Sequence, residues 1–75
     1  MIDQAGLQII LRPFLERRIK EHRIEEFLRD DMRLCKEVTV EYNRTLKECL
    51  LFRKPKSMTV SMFDGYIVHD FTITL

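Results

Sequence analysis

Two histidines, two cysteines and twelve carboxylates are the side chains of this 75-residue chain that could move protons, attack a carbonyl or hold a metal. Their spacing supports none of these chemistries strongly. Cys35 and Cys49 lie in a stretch whose apolar residues recur with a helical period. On one helix they would stand about 21 Å apart, at a rise of about 1.5 Å per residue. That distance excludes a disulfide or a shared metal between them. The exclusion lapses if the intervening residues form a strand. Both thiols are expected to be buried and structural. His69 could act as a general base or a pH-sensitive group. Its neighbour Asp70 falls on the opposite side of a strand and cannot orient it. A partly buried histidine bonded to backbone or to a helix side chain is the plainer expectation. His22, close to Glu25 and Glu26, reads as a surface ion pair. Gly-x-Ser-x-Gly is absent, and Gly6 and Gly65 are too few to build a phosphate-cradling loop. No catalytic residue, metal or cofactor is expected.

Charge narrows the partners. The net charge is +1, which argues against a protein that coats a polyanion. Residues 1–23 carry +2, residues 24–52 carry −2, Arg53, Lys54 and Lys56 add three positive charges, and Asp64 and Asp70 remove two. The best basic cluster is Arg12, Arg17, Arg18, Lys20 and Arg23. Glu16 and Glu21 interrupt it. It lacks both a helix-turn-helix glycine turn and the strand aromatics of an RNA-recognition sheet. A solvated helix face is its ordinary explanation. Hydrophobic residues make up 45% and charged residues 33%, the balance of a folded chain rather than a disordered one. No apolar run is long enough to span a bilayer. The Met-Ile-Asp-Gln start does not resemble a secretory leader, and two cysteines make no disulfide framework, so a reducing cytoplasm is expected. Asn43-Arg44-Thr45 matches a glycosylation acceptor by chance in that setting.

These groups must be positioned by a single small domain. The clearest element is a hairpin over 57–75 turning at Asp64-Gly65, a pair suited to a primed turn. With Phe63 and Tyr66 flanking the turn, the cross-strand partners are Met62–Ile67, Val60–His69 and Met58–Phe71. Met58, Val60, Met62, Ile67, His69, Phe71, Ile73 and Leu75 then share one face. Phe63, Tyr66, Val68 and Asp70 share the other with the intervening Ser and Thr residues. Residues 24–52 read as one amphipathic helix about 43 Å long, which leaves Val40 and Leu51 outside its apolar side. The competing assignment makes Val38-Thr39-Val40-Glu41-Tyr42 a strand. Upstream, Leu7, Ile10, Leu11, Phe14 and Leu15 form a first helical stripe with Asp3 as N-cap, followed by a bend at Lys20–Arg23. Pro13 is awkward inside that helix. The alternative is a strand over 7–11 with Pro13 opening the helix.

The expected fold is α+β: two N-terminal helical segments over about 3–52, the second long, a linker at 53–56, and a C-terminal hairpin covering Phe27 to Leu46 (ααββ). The alternatives are βααββ and a helix plus antiparallel meander. A stripe left exposed on so long a helix, together with open strand edges, suggests a homodimer or a complex with a larger protein. The functional expectation is a non-enzymatic interaction module: an adaptor, regulator or inhibitor of another protein. Its contact residues would be Phe63, Tyr66 and Val68 at the hairpin, with Glu25, Glu26, Asp30 and Asp31 setting charge selectivity. A nucleic-acid-binding regulator using the basic cluster plus Arg53, Lys54 and Lys56 is the second expectation. An enzyme would need a cleft assembled around His69 across a dimer.

Overall fold

The computed structural model describes residues 2–44 and 55–75. It is α+β, with helices on one face of a three-stranded antiparallel sheet. Helix α1 (Gln4–Glu16) starts at Asp3, whose Oδ1 accepts the Gly6 N–H at 2.8 Å. Helix α2 (Glu21–Glu26) runs on into a five-residue π-helical turn, Phe27–Asp31. Strands β1 (Glu37–Asn43), β2 (Ser57–Phe63) and β3 (Val68–Thr74) follow in sheet order β1-β2-β3. Of the arrangements the sequence allows, this is the helix-plus-meander one.

Residues 4–16 are helical despite Pro13. The lost N–H would have bonded the carbonyl of Ile9, and both residues are exposed, where water can take up the acceptor. The stripe Leu7, Leu11 and Leu15 is buried against β3, so burial outweighs the local cost. The helix ends one turn earlier than the expected bend. Arg18 adopts a left-handed backbone (φ 52°), with Arg18 N–H donating to Leu15 O at 3.1 Å and Ile19 N–H to Phe14 O at 3.0 Å. This is a Schellman closure built on arginine instead of glycine.

The long second helix does not form. It stops where Arg33 repeats the left-handed step (φ 52°) and Leu34 N–H closes back to Leu28 O at 3.1 Å. Residues 37–43 are a strand. Val38 and Tyr42 share a side under either period, so they could not discriminate between helix and strand. Val40 could. The helical wheel leaves it outside, whereas a strand places it between Val38 and Tyr42 on the inner face, where it is 4% exposed. The third strand therefore comes from 37–43 and not from 7–11. Glu25, four residues before Arg29, accepts the Val40 N–H at 2.8 Å, while Arg29 pairs with Asp30 at 3.0 Å. Among the described residues His22 forms no ion pair with Glu25 or Glu26.

The hairpin is present with its register moved by two. Phe63 pairs with Val68, Met62 with His69, Val60 with Phe71 and Met58 with Ile73. The loop is four residues, Asp64–Ile67, because the Asp64 carboxylate accepts the backbone N–H groups of Tyr66 and Ile67 at 2.8 and 2.9 Å. Only Gly65 takes a positive φ (106°) there, so the two-residue primed turn is not made. A shift of two preserves sidedness. Met58, Val60, Met62, Phe71 and Ile73 remain inside, while Ile67 becomes part of the loop and Leu75 is exposed at the chain end. The inner face is covered jointly, by α1 over β3 and by Ile24 and Leu28 of the second helix over β1, not by a helix running from Phe27 to Leu46. Pro55 is fully buried, and Lys56 O accepts the Leu75 N–H at 3.0 Å, so this end of the expected linker packs on the domain. Cys49, Leu46, Leu51, Arg53 and Lys54 lie outside the described residues.

Candidate interaction surface

Tyr66, Ile67 and Val68 follow one another at the β2–β3 loop and are 92%, 61% and 58% exposed. Apolar side chains in such a run remain in water only at a cost, and a contiguous patch of them is the usual mark of a contact surface. The strand period puts Val68 on the outer sheet face beside its partner Phe63. With Glu37, Val38, Thr39 and Ser61 they line a shallow cavity of about 320 Å³. Ile67 was expected on the inner face. It joins the patch because Asp64 draws it into the loop.

Asp64 organises this tip. Besides the two backbone donors, its Oδ2 lies 3.0 Å from His69 Nε2. The Ile67 and Tyr66 N–H groups, then His69, hold its carboxyl down from the ordinary 3.8 to about 2. With three partners the carboxylate is committed to loop closure. Ser61, two positions from Phe63 on the outer face, donates to Asp70 Oδ1 at 2.6 Å, so its hydroxyl and the His69 ring stand on opposite sides of the sheet. His69 thus takes its bond from a loop carboxylate, not from backbone or helix.

The outer face carries a consistent charge. Alternation points Glu37, Thr39, Glu41 and Asn43 of β1, Ser57, Thr59, Ser61 and Phe63 of β2, and Val68, Asp70, Thr72 and Thr74 of β3 away from the helices. Three of these are acids and none is a base. Asn43 links to Ser57 and Thr59 at 3.3 and 2.9 Å, which ties the strands at the far end. Lys36 lies against Gly65 and Arg44 stands 5.9 Å from the Tyr42 ring; both are beyond the ends of β1.

The edge of β3 is divided. Gln4 and Gln8 project from α1 four residues apart. Gln4 accepts the Thr72 N–H at 3.1 Å and donates to the Thr72 carbonyl, and Gln8 accepts the Thr74 N–H at 2.9 Å and donates to the Thr74 carbonyl. Each primary amide stands in for one residue of a neighbouring strand. In an antiparallel ladder alternate residues face the same way, so Val68 and Asp70 present their N–H and C=O groups to the same side as Thr72 and Thr74. Among the described residues nothing bonds those four groups. Sequence reasoning missed the glutamines. Their signal was present: two amides at i and i+4 border the Leu7–Leu11 stripe.

The other expected contact residues are elsewhere. Glu25 is spent on β1. Glu26, Asp30 and Asp31 line a separate cavity of about 400 Å³ with Phe14, Ile19, Arg23 and Phe27. There the Phe14 and Phe27 ring centroids are 4.8 Å apart. The second helix packs over β1, at the edge of the sheet away from β3, and the cavity these acids line shares no residue with the one beside Phe63 and Val68. Of the basic residues, Arg12 pairs with Glu16 at 3.2 Å, Arg17 caps α1, and Lys56 is exposed before β2. Arg18, Lys20 and Arg23, together with His22, line a cavity of about 400 Å³ at the turn between the helices. Cys35 is half-buried in the loop before β1, and burial pushes its thiol up. Among the described residues no group of His, Cys, Asp and Glu could hold a metal, and no helix is long and apolar enough to cross a membrane. No protein-family model, curated protein or solved structure matches the chain.

Proposed function

We propose that this chain is a non-enzymatic interaction module, an adaptor, regulator or inhibitor that works by binding another protein. The observation that carries the proposal is the exposed run Tyr66-Ile67-Val68 beside the Phe63 cavity, held in place by the Asp64 carboxylate. A rigid aromatic and two branched aliphatics on a closed loop lose little freedom on docking. Of the acids first expected to steer the partner, those along the second helix sit apart from this patch. The acids of the outer face, Glu37 and Asp70, adjoin it and take over that role in the proposal. A homodimer was expected to cover the stripe of a long helix. With the helix short, the surface chosen among the described residues is the tip and the β3 edge, and the proposed occupant is a different protein. A cytoplasmic setting belongs to the same proposal and rests on reading Cys35 as a structural thiol.

The test is site-specific photo-crosslinking in the native cell, with benzophenone side chains placed one at a time at Tyr66, Val68, Arg12 and Glu41. Adducts of one discrete mass at 66 and 68, absent at 12 and 41, are expected. Equal labelling at all four positions, or none at 66 and 68, would overturn the proposal. A second reading has its own observation: the cavity lined by Arg18, Ile19, Lys20, His22 and Arg23 has three cations and no acid in its lining and would suit nucleic-acid phosphates. Binding of a duplex or single strand that weakens steeply between low and high salt would favour it. A protein adduct retained at high salt would favour the first reading.

A further inference from the structure

We infer that the open half of the β3 edge takes a short extended segment of a partner protein as a fourth antiparallel strand, and that this segment carries a basic residue two positions before an apolar one. The inference rests on the interaction-module reading and specifies how that surface binds. Three observations combine. Val68 and Asp70 offer two N–H and two C=O groups in a row, the pattern a strand completes. The glutamine seal at Thr72 and Thr74 stops pairing from running further, so the guest is only about three to five residues long. The outer face selects its side chains. An antiparallel guest residue opposite Asp70 meets that carboxylate, whose Oδ1 is already held by Ser61. The residue two further on stands opposite Val68, beside the cavity that Phe63 and Glu37 line. Read from N to C, the guest is base, any residue, apolar residue. A second copy fits poorly: strand β3 pairing with itself would bring two Asp70 carboxylates onto one short edge.

The probe is the fluorescein-labelled peptide Ser-Thr-Lys-Thr-Val-Thr-Ser, titrated into the intact chain by anisotropy. Three peptide controls accompany it: Lys replaced by Glu, the Lys and Val amides N-methylated, and the intervening and following Thr amides N-methylated. The Lys and Val amides face β3 in this register, and the Thr amides face away. The parent peptide and the Thr-methylated peptide should bind alike, and the Glu and Lys/Val-methylated peptides at least about tenfold more weakly. On the protein side, Val68→Pro removes an edge donor at the first position of an edge strand, where proline is tolerated. It should weaken the parent peptide by a similar factor. The peptide controls need no protein variant, so they remain decisive if Val68→Pro misfolds. Binding that ignores the position of N-methylation would mean charge attraction alone and would overturn the strand addition, as would no binding of the parent peptide. Sedimentation as a dimer that Val68→Pro dissociates would assign the edge to a second copy and overturn the proposed guest. Crosslinks from Tyr66 to the native partner that survive Val68→Pro would leave the interaction module standing and sink only its strand-addition mode. Absence of those crosslinks in the wild-type chain would sink the module itself.

Discussion

The two halves of strand β3 belong to one element and one edge, yet they are treated differently. At Thr72 and Thr74 the outward backbone is closed by two glutamine amides from α1, over the buried Leu7 and Leu11. At Val68 and Asp70 it is open among the described residues, next to the exposed run Tyr66-Ile67-Val68. An edge strand is a hazard wherever it can pair at random. Here the hazard is removed from one half and confined to the other, where a loop, a cavity and an acidic face restrict what can pair. The contrast separates the part of the strand that α1 ties into the fold from the part proposed as a partner's docking edge.

The comparison is broken or sharpened by substitution. The largest effect belongs beneath the sealed half. Leu11→Ala should cost about 2–5 kcal/mol in chemical denaturation, while Val68→Thr on the open half should stay within about 0.5 kcal/mol. Equal costs would mean the two halves are not energetically distinct. Next, Gln4→Leu with Gln8→Leu strips the seal and leaves strand groups unpaired, at about 1–3 kcal/mol. Amide hydrogen exchange should then accelerate at Thr72 and Thr74 to the fast rate expected at Val68 and Asp70, and self-association should rise with concentration. Slow exchange at Val68 in the wild-type chain would show that the open half is not open.

A smaller, favourable change tests the elements that support both halves. Arg18 and Arg33 hold left-handed conformations that cost a side-chain-bearing residue about 1–2 kcal/mol. Arg18→Gly and Arg33→Gly should each raise stability by somewhat less, about 0.5–1 kcal/mol, since glycine adds freedom to the unfolded chain. The smallest effect lies in the tip, where solvent reaches the partly exposed carboxylate and screens it. The Asp64 carboxyl is held down from 3.8 to about 2, so its contribution is complete above about pH 4 and is lost as pH falls through about 2. Melting temperature followed from pH 6 to pH 2 should fall more steeply for the wild-type chain than for Asp64→Asn. Parallel curves would remove Asp64 as the loop's organiser.

The parts legible in the sequence were those set by a local rule. Asp3 caps α1 because a carboxylate at that position meets a free N–H, and strand alternation sorted the hairpin residues between faces. What failed required knowledge of a distant or side-chain partner. Val38 and Tyr42 satisfy two periods at once, and the deciding residue, Val40, was set aside as the exception to a helix. The turn register depended on Asp64 reaching forward to Tyr66 and Ile67, a side-chain bond that the Asp-Gly pair alone does not announce. Of the candidate contact surface, Tyr66 and Val68 were legible as exposed apolar residues flanking the turn. The open edge was not, because it exists by contrast with Gln4 and Gln8, more than sixty residues away in sequence.

The displacement of the hairpin by two residues has a consequence for how this molecule can change. A slip of the pairing by two residues leaves every side chain of β2 and β3 on its original side, whereas a slip by one turns one strand over. So long as Phe63 still meets Val68, residues inserted or removed between Asp64 and Ile67 change the loop alone, and hairpin loops of two to five residues all occur. The tip can be rewritten, by descent or by an engineer grafting a new binding loop, without disturbing that pairing. The core registers none of those edits.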